Sequence, residues 1–194
     1  MTASQTVSQH NLDTAERQIL LNVARDSIRE GLDHGTPLKL IEADYPPVLQ
    51  AQRASFVTLN LHGELRGCIG HLEAVEPLVQ DVADNAFSAA FKDPRFPALR
   101  EAELADLEIH ISVLTPAEPM AFSSEADLLR QLRPGLDGLI LEDGWARGTF
   151  LPSVWESLPE PREFLAHLKR KAGLPMNHWS AKLRVYRYTT ESFS

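Results

Sequence analysis

Cys68 is the single cysteine of the sequence, and it lies in the segment Leu65 to Gly70 (LRGCIG), between two glycines and two residues after an arginine. Gly67 and Gly70 allow other groups to approach the backbone closely, and Arg66 is a charge able to stabilise a thiolate or hold an anion. A neutral thiol is a weak nucleophile, so covalent chemistry at Cys68 requires a base or a cation beside it. Arg66, His71 and His110 are the candidates for that role. If His110 lies across a sheet from Cys68, a carboxylate such as Asp93 would orient its imidazole, as in a cysteine hydrolase or acyltransferase. Cys68 and His110 are therefore the candidate catalytic residues. Cysteine is also among the residues most often buried, and as a small apolar group in a tight strand Cys68 needs no chemistry at all.

Anion binding is the second chemistry these residues suggest. Arg66 and Arg95 can each clamp a carboxylate or phosphate with two parallel hydrogen bonds, while Gly67 and Gly70 let backbone amides reach the same anion. With Asp93, these residues form the candidate ligand-binding set. The alternative is structural: Asp93-Pro94-Arg95 as a local turn, with each arginine paired to a neighbouring acid. GCIG is neither a phosphate loop nor a dinucleotide fingerprint. The seven histidines, His10, His34, His62, His71, His110, His167 and His178, show no compact ligand spacing, so no metal site and no cofactor is expected. Lys169, Arg170 and Lys171 read as a solvated basic helix end that complements the helix dipole. Trp145, Trp155 and Trp179 accompany Leu, Val and Pro and read as buried aromatics.

These groups must be carried by regular elements. Asp13 and Glu16 have the spacing of a reciprocal cap, and Ala15, Ile19, Leu20, Val23, Ala24 and Ile28 recur with helical period. A helix from Asp13 to Leu32, stopped near Gly31 or Gly35, follows. Pro37, Pro46 and Pro47 make Thr36 to Gln50 extended or looped chain. Ala54 to Leu61, a turn at His62-Gly63-Glu64 and Leu65 to Ile69 read as a hairpin that places Cys68 on its second strand. Pro77 opens a helix to Phe91 whose alanines suggest close packing on a sheet, and DPRFP (Asp93 to Pro97) breaks it. Leu107 to Leu114 alternates as a strand ended by Pro116 and Pro119. Ser124 caps a short helix to Leu132, Leu139 to Leu141 pairs with Thr149 to Leu151, Pro161 to Ala172 is an amphipathic helix, and Leu183 to Tyr188 is a strand. Because strands and helices do not alternate as βαβ units, the expected class is α+β, an antiparallel or mixed β-sheet flanked by helices.

Composition narrows the function classes. The 194 residues carry 43% hydrophobic and 24% charged side chains, suited to one compact domain. A net charge of −8 opposes a broad phosphate-binding surface, so no nucleic-acid partner is expected. No apolar run approaches the roughly 18 residues that span a bilayer, so no membrane partner is expected either. The first ten residues are polar, without the parts of a signal peptide, and read as a mobile tail. A lone thiol suits a reducing compartment, so a cytoplasmic location is expected.

In their order and spacing, FVTLNLHGELRGCIG, DPRFPAL, LEIHISVL, FLPSVW and KAGLP resemble the AMME chromosomal region gene 1 domain family, with the resemblance running from the first helix to the last strand. It implies one domain over residues 11–194 with two lobes, a large and a small subdomain. It also implies a shared pathway with a Memo-like protein and a radical S-adenosylmethionine protein, its prokaryotic members being of the AmmeMemoRadiSam system protein A type. His110 stands where the family's EIEIS-like strand often has an acid. Two readings follow: a binding module acting with those pathway proteins through the surface around LRGCIG, or an enzyme using Cys68 as nucleophile on a small anionic substrate.

Overall fold

The computed structural model describes residues 11–194. The tail expected over residues 1–10 lies outside the described residues. Two compact units emerge, one made of the described residues up to Leu114 with Glu191–Ser194, the other of Thr115–Thr190.

In the first unit, helix α1 (Thr14–His34) begins at the reciprocal cap read from the sequence. The Asp13 carboxylate accepts the Glu16 amide and the Glu16 carboxylate accepts the Asp13 amide, each at 2.8 Å. Gly35, at φ 73°, closes the helix in the left-handed conformation that glycine adopts without strain. The buried stripe Leu20, Val23, Ala24, Ile28 faces the core. Within this stripe the Ser27 hydroxyl donates to the Ala83 carbonyl at 2.7 Å and accepts the Leu38 amide at 3.1 Å, so its burial leaves no polar atom unsatisfied.

Strand β1 (Ser55–Leu61) turns through His62 and Gly63, both at positive φ, into β2 (Glu64–Gly70). Helix α3 (Leu78–Phe91) and strand β3 (Leu107–Leu114) follow, and β8 (Thr190–Phe193) completes a sheet of order β2-β1-β3-β8. Alternation sends Val57, Leu59, Ile109, Ile111 and Val113 into a core shared with α1 and α3. Thr58, Cys68 and His110 are left on the opposite, half-buried face.

The second unit holds β4 (Glu118–Pro119), β5 (Gly138–Asp143), β6 (Ala146–Phe150) and β7 (Arg184–Tyr188) in the order β4-β7-β5-β6, with helices α4 (Glu125–Gln131) and α5 (Pro161–Lys171). Trp155 stacks on Phe164 at 3.7 Å, and its indole N–H donates to the Asp137 carbonyl at 2.7 Å. The class is α+β, and its sheets are antiparallel rather than mixed.

Several elements differ from expectation. Pro47 opens a one-turn helix, α2 (Pro47–Gln50), inside the segment read as loop, because the first helical position needs no amide hydrogen. Pro119 does more than end the preceding strand: it lies in β4 and pairs with β7, since an edge strand tolerates a missing donor. Lys169, read as solvated, is fully buried because it continues the apolar face of Leu165 and Leu168; its ammonium donates to Glu125 at 2.6 Å and lies over Trp179. Of the tryptophans read as buried, Trp155 is, while Trp145 at the β5–β6 turn is 99% exposed and Trp179 is also exposed.

Candidate functional site

Strand register decides which candidate residues meet. Cys68 pairs with Thr58, and Thr58 with His110, so the three form a row across β2, β1 and β3 on the face turned from the core. The Thr58 hydroxyl donates to the Cys68 sulfur at 3.2 Å. His110 is two strand spacings from Cys68, about 10 Å between backbones, with Thr58 between them. The polar neighbour of the thiol is therefore a hydroxyl. Nothing in the local sequence marks Thr58, and only the pairing register identifies it. The His110 Nε2 is buried without a hydrogen-bond partner among the described residues, 3.9 Å from the Glu108 carboxylate. A cavity of about 460 Å³ opens beside it, lined by Gln18, Asn22, Arg25, Glu108 and Ser194 among others.

Asp93 and Arg95 meet Cys68 through its backbone. β2 is an edge strand, and the outward amide of Cys68 donates to Asp93 Oδ2 at 2.9 Å. Arg95 holds that carboxylate on both oxygens, with Nη2 to Oδ2 at 2.7 Å and Nε to Oδ1 at 3.0 Å, and its Nη2 also donates to the Cys68 carbonyl at 3.4 Å. Together the pair occupies the place of a neighbouring strand along this stretch of edge. Hydrogen bonds from the Arg95 side chain, then from the Cys68 and Arg95 amides, hold the Asp93 carboxyl well below the usual range despite its burial.

Arg66 takes a different direction. The register skips between Leu59 paired with Gly67 and Asn60 paired with Leu65, leaving Arg66 as the extra residue of a β-bulge. Its nearly buried guanidinium donates to both carboxylate oxygens of Glu103, at 2.8 and 3.3 Å. Glu103 also accepts the Arg100 amide at 2.8 Å, and the Arg66 bonds, foremost among these influences, bring its pKa down to about 2. Gly67 and Gly70 have no room for a side chain. A Cβ at Gly67 would overlap the Ala89 carbonyl of α3, and one at Gly70 would overlap the Phe56 ring and the Ser55 carbonyl. The structure thus gathers Cys68, Asp93 and Arg95 at one edge, and engages Arg66 with Glu103, which carries no motif signal of its own.

His71, immediately after Gly70, turns to a third group. Its Nδ1 is 2.7 Å from Oδ1 of Asp81, a buried carboxylate in the first turn of α3. Glu76 joins them: among the described residues, ligand atoms of His71, Glu76 and Asp81 lie within 4.8 Å of one another.

The sequence profile of the AMMECR1 family matches residues 21–193. The chain belongs to the AMMECR1 family. A protein of Methanothermobacter thermautotrophicus is 43% identical over 188 residues, covering 94% of this chain and 95% of that one. One from Thermotoga maritima is 40% identical over 160 residues, covering 80% and 87%. The crystal structure of an uncharacterised Pyrococcus horikoshii protein superposes with a TM-score of 0.82 at 37% identity, covering 89% of this chain and 88% of that one. In this AMMECR1 domain, the LRGCIG and DPRF segments are joined by the Cys68–Asp93 hydrogen bond and the Arg95 clamp. No helix among the described residues is long and apolar enough to cross a membrane.

Proposed function

We propose that this AMMECR1 domain is a cytoplasmic binding module that works with a Memo-like protein and a radical S-adenosylmethionine protein. Its working surface is the outer face of β1, β2 and β3 around Cys68, Thr58 and His110. One observation supports this reading above the others: the charged and glycine positions of the motif are engaged within the protein. Arg66 is paired with Glu103, Asp93 with Arg95 and the Cys68 amide, and Gly67 is packed on Ala89. What the sheet presents outward at the motif is a row of half-buried side chains, Cys68, Thr58 and His110, held by strand pairing, a geometry suited to recognition.

A second reading, Cys68 as nucleophile toward a small anionic substrate, draws on Arg95. Its side chain is 54% exposed beside the Cys68 carbonyl, so a guanidinium is on hand for an anion.

Calorimetric titration of the purified Memo-like and radical S-adenosylmethionine proteins into this domain tests the first reading. Wild type and Cys68→Ser are expected to bind with similar affinity, while Thr58→Lys, which places a charge in the middle of the row, abolishes binding. Absence of binding to both partners, or binding indifferent to Thr58→Lys, overturns it. Rapid alkylation of Cys68 in the native protein, with loss of cellular function in Cys68→Ser and unchanged partner affinity, would establish the second reading instead.

A further inference from the structure

We propose that His71, Glu76 and Asp81 form a binding site for a divalent transition-metal cation of the zinc type at the end of the motif strand. The site is independent of the binding-module reading. Its three residues come from distinct places: His71 just beyond β2, Glu76 in the connection that follows, and Asp81 in the first turn of α3. The fold nevertheless brings one ligand atom from each within 4.8 Å of the others. Tetrahedral zinc, with bonds of about 2.0–2.2 Å, places its ligand atoms about 3.3–3.6 Å apart. Loading the site therefore requires His71 and Glu76, the two more exposed of the three side chains, to move inward toward the buried Asp81.

The orientation of Asp81 supports a ligand role. Its Oδ2 accepts three hydrogen bonds from outside the triad, from the Ser55 amide at 2.7 Å, the Ser55 hydroxyl at 2.5 Å and the Asn85 amide group at 2.9 Å. Oδ1 has His71 as its partner. One oxygen is thus locked by the scaffold and the other is directed at the imidazole, the arrangement by which outer-shell donors fix a ligating carboxylate.

Charge gives an independent reason. Glu76, Asp81 and Asp84 stand near one another, and no lysine or arginine pairs with any of them among the described residues. A buried carboxylate ordinarily has a full counter-charge. Among the described residues, the ion-pair partner of Asp81 is a histidine whose side chain is 47% exposed. A bound dication supplies the missing charge. One imidazole nitrogen with two carboxylates favours zinc, iron or manganese over magnesium or calcium, whose sites are built from oxygen alone. Three protein ligands leave a coordination position for water.

Zinc chloride titrated calorimetrically into the metal-stripped full chain tests the site, with magnesium chloride as comparison and thermal unfolding as a second readout. The expected result is one zinc per chain, no comparable magnesium binding, and a rise in Tm with zinc. His71→Ala and Glu76→Gln, both at partly exposed positions and so compatible with folding, should each weaken zinc binding by about ten- to a hundred-fold and remove the Tm shift. His178→Ala, which breaks the separate His178–Asp143 pair of the second unit, should leave binding unchanged. No zinc binding up to about 100 µM, equal affinity in wild type and His71→Ala, or loss confined to His178→Ala would each overturn the proposal.

Discussion

The backbone amide of Cys68 donates to the buried carboxylate of Asp93, 25 residues away in sequence, and this bond ties the LRGCIG strand to the DPRF turn. Asp93 stands where the next strand of the sheet would, and Arg95 keeps it charged. The conspicuous residues of the second segment thus act on the backbone of the first.

Asp93→Ala is expected to destabilise the first unit by about 2–3 kcal/mol, because it leaves the Cys68 amide unpaired at a partly buried edge. Arg95→Ala should cost about 1 kcal/mol or less, since the guanidinium is more than half exposed and water replaces part of its interaction. Urea unfolding of the two variants checks the order.

Gly67→Ala should be more damaging than a surface glycine substitution, at about 1–3 kcal/mol, since the new methyl group meets a helix carbonyl that cannot rotate away. Gly144→Ala, at a hairpin turn with open space but positive φ, should show only the smaller cost of left-handed backbone, about 1 kcal/mol. Thermal unfolding of the pair separates steric from conformational cost.

Acid should loosen the first unit in a defined window. The Asp93 carboxyl is held low by Arg95, and that of Glu103 is brought to about 2 by Arg66. Both folded-state values lie below those of the unfolded chain, so the unfolded state binds more protons and stability rises with pH. The contribution is complete above roughly pH 5 and is lost as pH falls through about 4 toward 2. Urea midpoints measured across this range should fall steeply for wild type and less steeply for Glu103→Gln, which lacks one of the two titrating groups.

In the second unit, Glu125→Ala should cost more than Lys169→Met. The Lys169 side chain is fully buried and Glu125 is its hydrogen-bonded counter-ion. Removing the acid strands a buried ammonium, a loss of about 3 kcal/mol, whereas methionine fills the same space without charge and should stay within about 1 kcal/mol of wild type. Chemical denaturation of both variants measures the difference.

Local patterns in the sequence carried much of the architecture. The Asp13–Glu16 cap, the α1 period, the His62-Gly63 turn, the alternation in Leu107 to Leu114 and the Ser124 cap each involve residues within one or two turns of chain, where spacing alone determines which face or terminus they occupy. The same locality made Cys68 and the DPRF segment stand out, and their order and spacing pointed to the family. Strands β4 and β8 were not legible, since two to four residues are too few to show a period, and their pairing comes from partners far away in sequence.

What the residues do to one another depended on long-range register. Pairing of β2, β1 and β3 put Thr58 between Cys68 and His110, a β-bulge sent Arg66 to Glu103, and the helix after the motif brought Asp81 to His71. The sequence by itself determined the types of the longer elements, the family and the conspicuous residues, because those rest on local period and composition. Only the tertiary structure decided which charges are paired internally and which side chains face outward, because a shift of one residue in register exchanges the two faces of a strand.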